Sequence, residues 1–122
     1  MRNCESHFSE DGNIYTCGSN GNGQLGIGDD KDRNIPTLIS WKEGKILEIG
    51  LGSRHSIFIS GIWIFILTST ENGVFGCGNN KFGQLGIGTQ NKQQNIPTRL
   101  KFFDGKKIKQ ISVGENHNLI LI

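Results

Sequence analysis

Few residues in this 122-residue chain have the type and spacing for chemistry, and most of them come in repeats. Gly21-Asn22-Gly23-Gln24-Leu25-Gly26 fits the G-x-G-x-x-G spacing that lets a backbone approach a dinucleotide pyrophosphate. That chemistry needs a helix directly after the glycines and an acidic residue about 20 positions further on. The chain continues instead as Ile27-Gly28-Asp29-Asp30, poor helix material, and a second copy of the stretch puts Lys81 where Gly21 stood. The glycines therefore read as positions of positive φ and close strand packing, not as a phosphate cradle.

His7, His55 and His117 sit at places that look equivalent, each ahead of a turn or closing strand. Cys17 and Cys77 are likewise equivalent to each other. Repeated positions on neighbouring sheets lie a sheet spacing apart and should not chelate one ion. Cys4-x-x-His7 is the only local pair and lacks a second pair at zinc-site spacing. A Cys–His nucleophilic pair is disfavoured for a related reason: each candidate is a repeat residue, not a unique one. The reading is of a protein with no enzymatic role, no catalytic residue, no metal and no cofactor.

Charge is uneven. Residues 1–61 carry six Lys/Arg and eight Asp/Glu, a net of −2, and residues 62–122 carry seven and three, a net of +4. Lys101, Lys106, Lys107 and Lys109 supply much of that excess and are a candidate partner-binding patch beside Phe102 and Phe103. A nucleic-acid footprint would be a larger basic surface, so nucleic acid is disfavoured as a partner. The longest apolar run, Ile57 to Leu67, is broken by Ser60 and Gly61 and falls short of the ~20 residues that span a bilayer. No membrane partner is expected. Three cysteines without a secretory signal point to a reducing compartment, an intracellular one, cytoplasmic or nuclear.

The elements that hold these residues are set by the repeat itself. Cys17 to Gly28 and Cys77 to Gly88 are identical at nine of twelve positions. Asn34-Ile35-Pro36-Thr37 recurs as Asn95-Ile96-Pro97-Thr98, and Ile49…Gly52…His55 recurs as Ile111…Gly114…His117. Asp11-Gly12 and Asn72-Gly73 are hairpin signals. Strands are expected over Ile14–Cys17 and Val74–Cys77, then, since a proline marks the start or edge of a strand, over Thr37–Ile39 and Arg99–Leu100. Two more follow per unit: Lys45–Ile49 and Ile57–Ile59, then Lys107–Ile111 and Leu119–Ile122. Four short strands per unit at a fixed period are the mark of propeller blades. Residues 1–10 read as the tail of an earlier unit, 11–60 as the first repeat and 71–122 as the second. Residues 61–70 (Gly61-Ile62-Trp63-Ile64-Phe65-Ile66-Leu67-Thr68-Ser69-Thr70) are an atypical apolar insertion, β-rich enough for an extra strand. The fold class expected is all-β: two four-stranded antiparallel blades of an incomplete β-propeller.

The full pattern resembles the regulator of chromosome condensation repeat. The residues that carry the likeness are Gly18, Gly23, Gln24, Leu25, Gly26, Gly28, Gly52 and His55. In the second copy they are Gly78, Gly83, Gln84, Leu85, Gly86, Gly88, Gly114 and His117. The departures are Cys17 and Cys77, where the family often has Trp, and segment 61–70. The resemblance implies a seven-bladed propeller used for protein–protein interaction, with a link to small-GTPase regulation or chromatin. The alternative it implies is a guanine-nucleotide exchange factor for a Ran-type small GTPase, active only with further blades. Two repeats cannot bury both faces of every blade, so other blades or self-association are expected to close the structure.

Overall fold

The computed structural model describes residues 4–8, 13–42, 46–60, 73–89 and 91–122. Segment 61–70, Asp11-Gly12 and Asn72 lie outside the described residues. Among the described residues nine strands succeed one another: β1 (Cys4–Phe8), β2 (Ile14–Gly18), β3 (Arg33–Leu38), β4 (Ile46–Leu51), β5 (His55–Ser60), β6 (Gly73–Asn79), β7 (Gln93–Arg99), β8 (Gln110–Val113) and β9 (Asn118–Leu121). The only helical element among the described residues is a 3-10 turn over Lys101–Phe103. Every strand pairs antiparallel with a sequence neighbour, so the all-β expectation holds.

The sheets are β1-β2-β3, β4-β5-β6-β7 and β8-β9. They cut across the repeat. β4 and β5 end the first repeat, β6 and β7 begin the second, and these four form the one four-stranded sheet among the described residues. Partial sheets flank it, with three and two strands. Connection length does not decide the pairing: the glycine-rich connection from β2 to β3 joins paired strands, whereas the shorter one from β3 to β4 changes sheet. There Trp41 leaves the first sheet and packs 5.7 Å from Phe58 and 4.9 Å from Phe75 of the second, centroid to centroid.

β5 is buried along its whole length and β6 as far as Gly78, because both faces of the middle sheet are covered. The two faces follow the strand period of two. Phe58, Phe75 and Cys77 join Ile14, Ile39 and Ile46 in a core shared with the first sheet. Ile57, Ile59 and Val74 join Leu85, Leu100 and Ile111 in a core shared with the third. Those two apolar layers hold the three sheets face to face.

Three expectations need correction. The proline strands begin earlier than the prolines: Pro36 is the fourth residue of β3 and Pro97 the fifth of β7. Both strands lie at sheet edges, where the missing N–H would point away from the ladder. His7 is not equivalent to His55. Cys4 pairs with Gly18 as His55 pairs with Gly78, which places Cys4 at the His55 position and His7 at that of Phe58. Finally, β8 starts at Gln110 rather than Lys107, since a two-stranded sheet gives the end of its ladder little support.

Candidate functional site

Between β2 and β3, and again between β6 and β7, the strand breaks its ladder at a bulge and turns into a glycine arc. The bulges fall at Thr16/Gly18 and Gly76/Gly78, the same place in each copy. Gly78, at φ 109°, is required there: a Cβ would collide with the Arg54 carbonyl and lie 2.6 Å from the His55 Cα. Each arc is then two successive turns. Gly23 N donates to Asn20 O (2.9 Å) and Gly26 N to Gly23 O (3.1 Å); Gly83 N donates to Asn80 O and Gly86 N to Gly83 O, both at 3.0 Å.

Side chains lock the arcs from within. Asn20 Oδ1 accepts from Leu25 N and Asn80 Oδ1 from Leu85 N, both at 3.0 Å. Gln24 Oε1 accepts from Asn22 N (2.9 Å), and Gln84 Oε1 from Phe82 N (3.0 Å). Leu25 and Leu85 are fully buried. Gln and Leu thus complete their own turn and its packing and do not face a ligand, and the arcs are fasteners between sheets.

What the arcs fasten to differs. Gln24 O accepts from Ser56 Oγ on β5 (2.8 Å) and Cys77 Sγ on β6 (3.3 Å). Gly28 N donates to Asn95 O on β7 (2.9 Å), and Asn79 Nδ2 to Asn22 Oδ1 (2.9 Å). The first arc is therefore laid across β5, β6 and β7. Among the described residues Gln84 O receives the counterpart bond on β9 alone, from Asn118 Nδ2. Phe82, Gly83, Gly86 and Gly88 stand exposed.

The histidines serve the same joints. Gly52 N donates to His55 O, and Gly114 N to His117 O, both at 2.8 Å. A Cβ on either glycine would press into the imidazole three residues on, so Gly-x-x-His is a tight turn closed by the ring. His55 is wholly buried, and its Nε2 meets Asn118 Oδ1 at 2.8 Å. Its Nδ1 has no partner among the described residues. Burial, more than any neighbour, holds the His55 pKa below the ordinary imidazole value; the Asn118 bond opposes that shift. Asn118 links His55 of the middle sheet to the second arc, and the sequence reading missed it. The signal was there: a polar residue follows each repeated histidine, Ser56 in one copy and Asn118 in the other.

The lysines fall on a different surface. Lys101, Lys107 and Lys109 are exposed. Lys106 folds over the Phe102 ring at 4.5 Å and donates to the Phe102 carbonyl at 2.8 Å. Arg99 Nε bonds Asp104 Oδ1 at 2.7 Å and closes the base of this loop. Beside it, Phe82, Leu100, Phe102, Phe103, Ile120 and Ile122 line an open groove of about 470 Å³ next to the second arc. Among the described residues no group of three or more His, Cys, Asp or Glu is placed to hold a metal ion, and no helix is long and apolar enough to cross a membrane.

Known proteins share this arrangement. The Ultraviolet-B receptor UVR8 of Arabidopsis thaliana is 37% identical over 112 residues, covering 91% of this chain and 23% of the receptor. The Protein RCC2 homolog of Xenopus laevis is 31% identical over 124 residues, covering 97% of this chain and 22% of that protein. The human X-linked retinitis pigmentosa GTPase regulator is 34% identical over 110 residues, 88% of this chain and 10% of the regulator. The chain thus spans less than a quarter of the length of these relatives. Human WBSCR16 superposes at a TM-score of 0.79 with 23% identity, over 98% of this chain and 28% of that structure. Prp20p of Saccharomyces cerevisiae does so at 0.73 with 18% identity, again over 98% and 28%. The fold is thus part of a β-propeller of the regulator of chromosome condensation type, incomplete in this chain. The profile of the Regulator of chromosome condensation (RCC1) repeat matches residues 11–59 and 71–121, and the chain belongs to that family.

Proposed function

We propose that this chain is part of a propeller that works as a non-enzymatic protein-interaction module, with a link to small-GTPase regulation or chromatin. One observation carries the reading. The repeat residues with chemical potential, Gln24, Gln84, Asn20, Asn80 and His55, are buried and hydrogen-bonded inside the joints. That leaves recognition to exposed loops on a rigid scaffold. The loop with Lys101, Phe102, Lys106, Lys107 and Lys109 is the leading surface, since Phe102 is exposed among cations. Relatives support the direction: one is named a GTPase regulator, and the Prp20p structure was reported with its binding to Gsp1p and histones. The alternative reading is an exchange factor for a Ran-type GTPase that acts only with further blades.

Titration of a Ran-type GTPase carrying fluorescent nucleotide separates the two. Binding without faster nucleotide release, weakened when Lys101 and Lys107 are reversed to Glu, is the expected result. Accelerated release by this chain would favour the exchange reading. No binding to the GTPase or to histones would remove both proposed links.

A further inference from the structure

We propose that the loop between β7 and β8 docks an acidic protein segment, rich in Asp and Glu, on Lys101, Lys106 and Lys107; this rests on the interaction-module reading and adds the chemistry of the partner. The same loop occurs in both repeats and differs in charge. Ile39 N donates to Ile14 O and Leu100 N to Val74 O, both at 2.8 Å, so Ser40 and Lys101 open equivalent loops. Both loops are anchored alike: Ile39 and Ile46 pack in one core, Leu100 and Ile108 in the other. Residues 40–48 hold two lysines and two glutamates, a net of zero, whereas residues 101–110 hold four lysines and one aspartate, a net of +3. The shared scaffold needs the apolar anchors and does not need the lysines. Ser40 and Lys42 are exposed although another sheet follows theirs, so exposure belongs to this loop in either copy.

The loop keeps its cations away from its own acid. Asp104 is the one acidic residue from Leu100 to Gly114. Its Oδ1 accepts from Arg99 Nε at 2.7 Å, and the Arg99 guanidinium lies 5.5 Å from the centre of the Phe75 ring, which ties the loop to the middle sheet. Backbone bonds fix its path: Phe103 N to Leu100 O and Asp104 N to Lys101 O, both at 3.1 Å, then Lys106 N to Phe103 O at 3.0 Å. Lys106 is held over Phe102, and Lys101 and Lys107 have no acidic partner among the described residues. A preformed backbone carrying three ammonium groups binds an anionic chain without ordering the loop first. A carboxylate peptide suits it better than nucleic acid. Lysines are compact point charges, the neighbouring arginine is taken by Asp104, and a nucleic-acid footprint would be larger.

The test is fluorescence anisotropy of the full chain with a labelled peptide of alternating Glu and Asp. A peptide of Gln and Asn of the same length and a single-stranded oligonucleotide of equal charge are the comparisons. The unaltered chain should bind the acidic peptide and not the neutral one. Binding should fade as salt rises from about 0.1 M to about 1 M, which shortens the screening length from about 10 Å to about 3 Å. Lys101→Ser combined with Lys107→Gln should weaken binding at least about fivefold, whereas Lys42→Ser on the first loop should change it less than about twofold. Serine already stands at the equivalent place as Ser40, and circular dichroism matched to the unaltered chain shows that the variants fold. If the double variant does not fold, the acidic and neutral peptides on the unaltered chain still decide. Failure to bind the acidic peptide overturns the proposal, as does tighter binding of the oligonucleotide or an equal loss in Lys42→Ser. None of these results touches the interaction-module reading, which stands or falls on the GTPase and histone titrations.

Discussion

The two glycine arcs share nine of twelve residues and nearly the same backbone, yet one is enclosed and the other lies open. Gly23 and Gly26 are buried; Gly83 and Gly86 are exposed. The difference does not come from the arcs. It comes from what lies opposite: β5, β6 and β7 face the first arc, and the two-stranded β8-β9 sheet leaves most of the second uncovered. A repeat motif here is half of a joint. Its local turns form from local bonds in both copies, because Asn, Gln and the turn backbone need no neighbour. Its energetic worth depends on the next sheet, as expected for a quasi-one-dimensional repeat whose stability resides largely in nearest-neighbour interfaces.

The largest expected effect breaks the comparison where the arcs look most alike. Gly23 and Gly83 both sit at φ 74°. Alanine at either position meets the left-handed strain of about 1 kcal/mol. At Gly23 the new Cβ would also run into the Asn95 side chain and lie 2.8 Å from its Cα, whereas at Gly83 it meets no described atom within 4 Å. Overpacking of that kind adds about 2 kcal/mol. Gly23→Ala should therefore lower stability about three times as much as Gly83→Ala in denaturant melts of the two variants. Equal losses would mean that the first arc is not enclosed in solution.

The same contrast shows what could be read from the sequence. The repeat period and the glycine arcs were legible, because a recurring G-Q-L-G fixes turns locally. Strand pairing was legible only in part. The phase of the sheets depends on which edges meet after the chain leaves β3, and that is decided by Trp41 packing on Phe58 and Phe75, a contact with no local signal. His7 shows the cost of matching by residue type: the ladder register, set by pairing with β2, puts Cys4 where His55 stands. The prolines marked edge strands, as expected, but not their starts, because an edge strand tolerates proline in its interior. At the joints, Ser56 and Asn118 were missed since a polar residue in an apolar strand finds its partner only across sheets, at Gln24 O and Gln84 O.

A middle-sized effect sharpens the comparison at those two residues. Ser56 gives the first arc one bond among several, and Asn118 gives the second arc its bond while also holding His55. Ser56→Ala should cost about 1 kcal/mol, and Asn118→Ala about 2 kcal/mol, because the latter strands the buried His55 Nε2 and the Gln84 carbonyl together. The pH profile gives a second readout. His55 is held neutral by burial, with its folded pKa below the unfolded 6.5. Its contribution is present above pH 6.5, is lost as pH falls from there through the lowered folded value, and is constant below it. Melting temperature should therefore drop on acidification in that window, and His55→Gln should flatten the drop. An unchanged profile in the variant would assign the pH response to other groups.

The smallest effect concerns the loops that follow the arcs. In the first copy Asp29 Oδ2 pairs with Arg33 at 2.7 Å, and Asp29 Oδ1 accepts from Lys31 N and Asn20 Nδ2. In the second copy Thr89 stands in the Asp29 place, and among the described residues Asn80 Nδ2 reaches a backbone carbonyl, that of Asn91, and no side chain. The bonds from Arg33, then the Lys31 amide, hold the Asp29 carboxyl below the ordinary 3.8. That stabilisation is present above pH 3.8 and is lost as pH falls through the lowered value. The pair lies at the surface, where salt screens it. Asp29→Asn should shift the melt less than either change above, and the shift should shrink further in high salt. Proteolysis is the sharper probe: cleavage near Lys31 should rise in Asp29→Asn toward the rate near Lys92. If the two loops were already cut equally in the unaltered chain, the asymmetry between the copies would be confined to the arcs.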